Sequence, residues 1–123
     1  MRRDELQALV VEALNNLKAI DLVIIDVREI TSITDTMIIC SGSSNRHVKS
    51  LAENVVKQAK EHHINYIRTE GEQAGEWIIV DLADVVIHIM LPATRTFYNL
   101  EDLWEPIQTI REQRANSSSS HWK

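Results

Sequence analysis

The sequence has little of what secreted or membrane-anchored domains depend on. Its 123 residues include one cysteine, Cys40, so an intramolecular disulfide is excluded. There is no charged-then-apolar leader and no run of about 18 apolar residues that could export or anchor the chain. We therefore expect a cytoplasmic protein that does not enter a membrane.

Basic charge is also scarce. Lysine and arginine number 13 against 18 aspartates and glutamates, which gives a formal net charge of -5. Because nucleic-acid phosphates repel an acidic surface, we expect no direct sequence-specific binding to nucleic acid, and any electrostatic attraction to it would need a local basic patch.

The apolar content, 44% of the chain, is enough to bury a core. The length suits one domain, which we place at residues 1–114. Residues 115–123 are rich in serine and cannot bury enough surface to offset the entropy of ordering, so we expect a disordered tail there.

The hydrophobic pattern alternates between helical and extended periods, which is typical of an α/β protein. Residues 4–17 have apolar side chains at helical spacing, and the runs at 22–27 and 36–40 are typical of central strands covered on both faces. A second helix follows Ser41, and residues 65–70 resume an extended pattern. Later segments predict two more strands within 76–90, a third helix carrying Phe97, Leu100 and Trp104 on one face, and a short helix from Pro106 to about Arg114.

The turn CSGSSNRH joins a predicted strand to a predicted helix, a place where backbone N–H groups can hold a phosphate. It lacks the glycines and lysine of known phosphate-binding loops. We therefore favour a structural turn, in which Gly42 permits the bend and Ser43 or Ser44 caps the helix.

The histidines do not form a recognisable metal motif, because no CxxC or HxxxH spacing accompanies them. Cys40 lies in an apolar strand and has the character of a small core residue. The histidines considered are His47, His62, His63, His88 and His121.

The stretch EWIIVDLADVVIHIM, residues 76–90, predicts two strands, and a turn at Leu82 and Ala83 divides its side chains between two faces. In this register Trp77 faces His88, Asp81 faces Asp84, and Leu82 projects at the tip. The aliphatic face, expected to be core, holds Ile78, Val80, Val85, Ile87 and Ile89. The other face, called the mixed face below, holds Trp77, Ile79, Asp81, Asp84, Val86, His88 and Met90.

Composition leaves three interpretations of the mixed face open. Trp77 could lie under a helix with both aspartates solvated at the bend, or Asp81 and Asp84 could bind a metal, or another protein could cover the face. No third carboxylate and no phosphate-binding loop joins the two aspartates, which disfavours metal chemistry.

Three segments together resemble the ribosomal silencing factor family, also called the Iojap-related proteins. They are ITDTMIICSGSSNRHVKSLAENVV, GEWIIVDLADVVIHIM and RTFYNLEDLW, in the family's order and spacing from about Leu6 to Trp104. Their combination of SGxSxRH, EWIxVDxxDVxxHxM and RxFYxLExLW is specific. The resemblance implies an α/β fold with a mixed β-sheet of about five strands flanked by helices, in a nucleotidyltransferase-like topology.

The resemblance also implies a protein that is not an enzyme and has no cofactor or metal. Nucleotidyltransferases carry a carboxylate pair roughly ten residues after their GS turn, whereas the corresponding SLAEN here offers only Glu53. The alternative is a nucleotide-binding or nucleotidyltransferase-like enzyme that uses the turn from Ser41 to His47 together with Asp81 and Asp84.

The implied partner is the large ribosomal subunit, bound through its ribosomal protein fourteen. Occupying that surface would block subunit joining and repress translation. Carried over residue by residue, the implied contacts are Trp77, Asp81 and Leu82, with Asp84, His88 and Met90 as neighbours on the same face. The oligomeric state stays open, with a homodimer among the options.

Overall fold

The computed structural model describes residues 2–32 and 34–100, in which three helices accompany one five-stranded sheet. This confirms the predicted α/β class. The elements are α1 (Arg3–Asn16), β1 (Ile20–Asp26), β2 (Thr36–Ser41), α2 (Asn45–Glu61), β3 (Arg68–Glu70), β4 (Trp77–Asp81), β5 (Val85–Met90) and α3 (Pro92–Tyr98). Within these residues no helix combines the length and apolarity needed to cross a bilayer.

The sheet is mixed, with the strand order β1-β2-β5-β4-β3. β2 and β5 run parallel, and the remaining neighbours are antiparallel. β2 is central and buried along its whole length, as its apolar run predicts. The same prediction is wrong for β1, which lies at the edge with Ile24 41% exposed. An apolar run alone does not determine how many neighbouring strands a strand has, and in β1 only Ile25 is buried.

One sheet face packs against α1 and α2, because both helices have an apolar stripe at helical spacing. Leu6, Val10 and Leu14 come from α1, while Val48, Leu51 and Val55 come from α2. The sheet meets them with the aliphatic face of the hairpin. The predicted burial of this face is confirmed, since Ile78, Val80, Ile87 and Ile89 are each at most 1% exposed.

The opposite sheet face has a smaller core to which α1 and α2 contribute none of the buried residues described. Ile25, Met37, Ile39 and Met90 lie at its centre, together with Val27. Trp77 is partly buried against this group, as are Ile30 from the connection between β1 and β2 and Leu100 beyond α3. The mixed face of the hairpin therefore lies on the side of the sheet away from the two long helices.

The third helix is shorter than the sequence predicts. It begins at Pro92, whose fixed φ suits the first helical turn, and it ends at Tyr98, because Asn99 adopts a left-handed conformation with φ 54°. Phe97, which the sequence places on one helix face with Leu100 and Trp104, is 80% exposed. Trp104, the predicted helix from Pro106 to Arg114 and the predicted tail at 115–123 lie outside the described residues.

Candidate docking face

The hairpin of β4 and β5 has a three-residue loop in place of the predicted two-residue turn. Trp77 pairs with Met90, Ile79 with His88 and Asp81 with Val86. The predicted pairing was therefore displaced by two residues, which leaves every side chain on its predicted face because strand side chains alternate with period two. Leu-Ala lacks the Asn-Gly or Gly-X chemistry that stabilises two-residue turns, and the longer loop accommodates it.

The loop is a tight reversal centred on Ala83. The φ of Ala83 is 72°, a left-handed value that L residues adopt at a cost in strain. The N–H of Asp84 donates to the Leu82 carbonyl at 2.9 Å, and the N–H of Ala83 donates to Asp81 Oδ1 at 2.8 Å. The Asp81 carboxylate thus stabilises the loop, and Asp84, which belongs to the same loop, is exposed.

Leu82 does not project from the tip, so that prediction is wrong. The side chain is 3% exposed and belongs to the core beneath α1 and α2. It continues the alternation of Ile78 and Val80, because β4 directs every second side chain toward that core. The sequence shows the alternation of apolar residues at positions 78, 80 and 82. The prediction did not extend it to Leu82, because it placed Leu82 within a two-residue turn.

Trp77 is the centre of an aromatic cluster on the mixed face. Its indole Nε1–H donates to His88 Nδ1 at 3.0 Å, and the two ring centroids lie 5.9 Å apart. On α3, the ring of Tyr98 lies 4.8 Å from that of Trp77, and the ring of Phe97 lies 5.0 Å from that of Tyr98. Tyr98 is 55% exposed. Together these side chains form an aromatic surface. Within it, Trp77 is partly buried and packs against the core on this face of the sheet.

Gly71 fixes the backbone beside Trp77. Its φ is +87°, and an added Cβ would overlap the carbonyl oxygen of Trp77. Only glycine combines this conformation with such a close approach at low cost. The loop between β3 and β4 therefore determines where β4 begins and where Trp77 is presented.

His88 and Met90 lie on the mixed face as predicted, but they are buried in the free chain. His88 is 8% exposed and Met90 is fully covered. Burial lowers the pKa of His88 to about 4, because a charged imidazolium would lose its hydration there. These two side chains support the surface from below, while Trp77, Asp81 and Asp84 are the accessible members of the predicted set.

Intramolecular hydrogen bonds occupy the turn from Ser41 to His47. Ser44 Oγ accepts the N–H of His47 at 3.1 Å, which confirms the predicted cap of α2. The N–H of Ser43 donates to His47 Nδ1 at 2.8 Å, so the opposite nitrogen of a neutral ring carries the proton and donates to the Leu17 carbonyl at 2.7 Å. The close approach of the backbone at this turn requires glycine at position 42. An added Cβ would lie 2.8 Å from the backbone nitrogen of Val48.

Cys40 and the histidines were also considered as candidate catalytic or metal-binding residues. Cys40 is buried in β2, and burial raises the pKa of its thiol to about 12, which disfavours a nucleophilic thiolate. Over residues 2–32 and 34–100 no group of three or more histidine, cysteine, aspartate and glutamate side chains is arranged to hold a metal. His121 lies outside the described residues.

Sequence reasoning missed Tyr98 as part of this surface. The only signal was the adjacent pair Phe97–Tyr98, which are the last two residues of α3, and the predicted longer helix placed Phe97 on one face with Leu100 and Trp104. The break at Asn99 changes that assignment, because it leaves both rings at the surface near Trp77.

Comparison with known proteins agrees with this architecture. The family model described as ribosomal silencing factor during starvation matches residues 1–123. A ribosomal silencing factor of Chromobacterium violaceum is 42% identical over 104 residues, which cover 85% of this chain and 85% of that protein. A crystal structure of a Chromobacterium violaceum protein has a TM-score of 0.83 at 42% identity, covering 85% of this chain and 88% of that one.

A more distant relative carries an informative name. The protein of Mus musculus called mitochondrial assembly of ribosomal large subunit protein 1 is 38% identical over 101 residues, which cover 78% of this chain and 43% of that protein. The family model spans the entire sequence, and the structural likeness covers 85% of this chain. This chain therefore belongs to the ribosomal silencing factor family.

Proposed function

We propose that this protein represses translation by docking on ribosomal protein fourteen of the large ribosomal subunit and so preventing the small subunit from joining. The mechanism is steric, and it requires no catalysis and no cofactor. The observation that carries the proposal is the aromatic surface around Trp77, with two aspartates at the loop end of the same hairpin, presented by a chain of this family.

The proposed contact surface consists of Trp77, Asp81 and Asp84, extended by Tyr98. Trp77 is partly buried against the sheet, and an aromatic anchor of this kind loses little conformational freedom when a partner covers it. His88 and Met90 lie beneath this surface, and Leu82 lies in the core on the opposite face of the sheet. None of the three is proposed as a direct contact, because their side chains are covered in the free protein.

Charge supports a basic protein partner. The chain carries a formal net charge of -5, and Asp84 is exposed in the loop of the hairpin, at the opposite end of β4 from Trp77. Acidic side chains at the border of an interface attract a basic partner and accelerate its association. The same net charge disfavours adhesion to ribosomal RNA, because phosphates repel it.

The comparisons support the large subunit as the target. The family is described by ribosome silencing, and the mouse relative is named for assembly of the ribosomal large subunit. The cytoplasm remains the expected location. A dimer of this chain remains an option, and it would be compatible with docking if Trp77 stayed accessible.

Sedimentation with purified ribosomal subunits tests the proposal. The protein should co-sediment with large subunits and not with small ones, and adding it before the small subunits should reduce the yield of joined ribosomes. A variant with Asp84→Asn should bind more weakly at low salt, with the difference shrinking as salt screens the charge. Joined ribosomes forming at an undiminished yield with saturating protein would contradict the proposed mechanism.

A further inference from the structure

We propose that His88 is a positioning residue for Trp77, accepting the indole N–H so that a bound partner can cover the ring without leaving a buried donor unpaired. This inference rests on the proposed function, and it concerns how the surface around Trp77 is prepared for contact.

The hydrogen bond between the two side chains follows from the register of the hairpin. Trp77 lies opposite Met90 and His88 lies opposite Ile79, so Trp77 and His88 are diagonal neighbours on the same face. Their Nε1 and Nδ1 atoms lie 3.0 Å apart. Because an indole nitrogen only donates, His88 Nδ1 must accept, and the proton of the neutral imidazole is on Nε2.

Burial keeps the imidazole of His88 neutral, so that Nδ1 remains a hydrogen-bond acceptor. His88 is 8% exposed, and the pKa of its imidazole is lowered to about 4 by desolvation. The ring therefore stays neutral across the neutral pH range, and Nδ1 keeps the lone pair that receives the indole proton. Protonation would convert Nδ1 into a donor facing another donor.

The consequence appears when a partner covers Trp77. Water can reach the partly exposed ring in the free protein, but docking removes that water. A buried N–H without an acceptor would reduce affinity roughly 5- to 150-fold. His88 satisfies this donor before the partner arrives.

The contact with Tyr98 supports the same orientation. Its ring centroid lies 4.8 Å from that of Trp77 at an interplanar angle of 49°. An indole held by a hydrogen bond and a ring contact has fewer rotamers to lose on binding, which reduces the entropic cost of association.

This arrangement also specifies the chemistry of the partner's contact. Since His88 already accepts the N–H, Trp77 offers its ring carbons and π-surface to the partner. The geometry suits an aliphatic side chain or a lysine or arginine lying over the indole, and it does not suit an acceptor aimed at Nε1. A basic ribosomal protein supplies such side chains.

A double-mutant cycle tests the assignment. His88→Leu has similar volume and no acceptor, whereas His88→Asn keeps an oxygen close to the position of Nδ1. Trp77→Phe removes the donor. The measured quantity is the Kd of each folded variant for purified large subunits, with folding checked by urea denaturation.

We expect His88→Leu to weaken binding roughly 5- to 150-fold when Trp77 is present and by less than about twofold in the Trp77→Phe background. His88→Asn should recover most of the lost affinity. Equal losses in both backgrounds, or no rescue by asparagine, would overturn the role of His88.

A second measurement uses the free protein and needs no ribosome. The indole N–H resonance of Trp77, identified by its disappearance in Trp77→Phe, should exchange slowly with solvent in the native protein and in His88→Asn. It should exchange rapidly in His88→Leu. Rapid exchange in the native protein would refute the hydrogen bond even if His88→Leu did not fold.

The two proposals can fail independently. If Trp77→Ala leaves binding to large subunits unchanged, the docking surface is misassigned. If Trp77→Ala weakens binding while His88→Leu does not, the docking surface stands and the positioning role of His88 is wrong.

Discussion

Replacing Leu82 with alanine distinguishes a core position from a contact position at the tip of the hairpin. Leu82 is 3% exposed and packs in the core beneath α1 and α2. Truncation removes roughly three buried carbon groups, worth about 0.8 kcal/mol each in transfer free energy, and it leaves a cavity that the hairpin fills only partly. The free energy of unfolding should therefore fall by about 2 to 5 kcal/mol.

Urea denaturation followed by circular dichroism measures this loss, and Ala83→Gly at the adjacent exposed position is the matched control. Glycine adopts the positive φ of Ala83 without strain, so the control should not lose comparable stability. At a temperature where Leu82→Ala remains folded, its affinity for large subunits should stay within a few-fold of the native value. A stable Leu82→Ala protein that no longer binds would refute the burial argument and restore Leu82 as a contact.

Three further predictions concern stability. Because the pKa of His88 is about 4 when folded against an ordinary 6.5, the unfolded chain takes up the proton first as pH falls, so stability present above pH 6.5 is lost toward pH 4. This residue should account for about 2 kcal/mol between pH 7 and pH 5, measured as the difference between the urea melts of native protein and His88→Leu. Ser44→Ala should cost about 1 kcal/mol in denaturation experiments through loss of the α2 cap, and Ser43→Ala should cost less, since its backbone N–H still reaches His47. Gly71→Ala should lower the melting temperature, because alanine is strained at φ +87° and its Cβ overlaps the Trp77 carbonyl, and an unchanged melting temperature would contradict that geometry.

The face of each side chain in the hairpin was predictable because pleating alternates side chains whatever the register. A displacement of two residues moved the partner of Trp77 from His88 to Met90, yet every side chain kept its face. The contact between Trp77 and His88 also survived, since diagonal neighbours on a sheet face remain within reach of aromatic side chains.

Features set by tertiary context were not predictable. The apolar run of β1 indicated a central strand, but its place at the edge depends on how the chain returns after α2. The burial of Met90 depends on side chains from β1, β2 and the segment after α3, which no local pattern in 76–90 contains. The exposure of Tyr98 depends on the left-handed Asn99, and asparagine permits that conformation without requiring it.

Affinity of Trp77→Ala for purified large ribosomal subunits tests the central claim most directly. The matched control is Ile24→Ala, which truncates a large side chain that is 41% exposed on β1, on the face opposite to that of its buried neighbour Ile25. Both variants should remain folded. If the surface around Trp77 docks on the large subunit, Trp77→Ala should lose roughly 2 to 4 kcal/mol of binding free energy with little dependence on salt, and Ile24→Ala should bind like the native protein. Equal binding by native protein and folded Trp77→Ala would contradict the account.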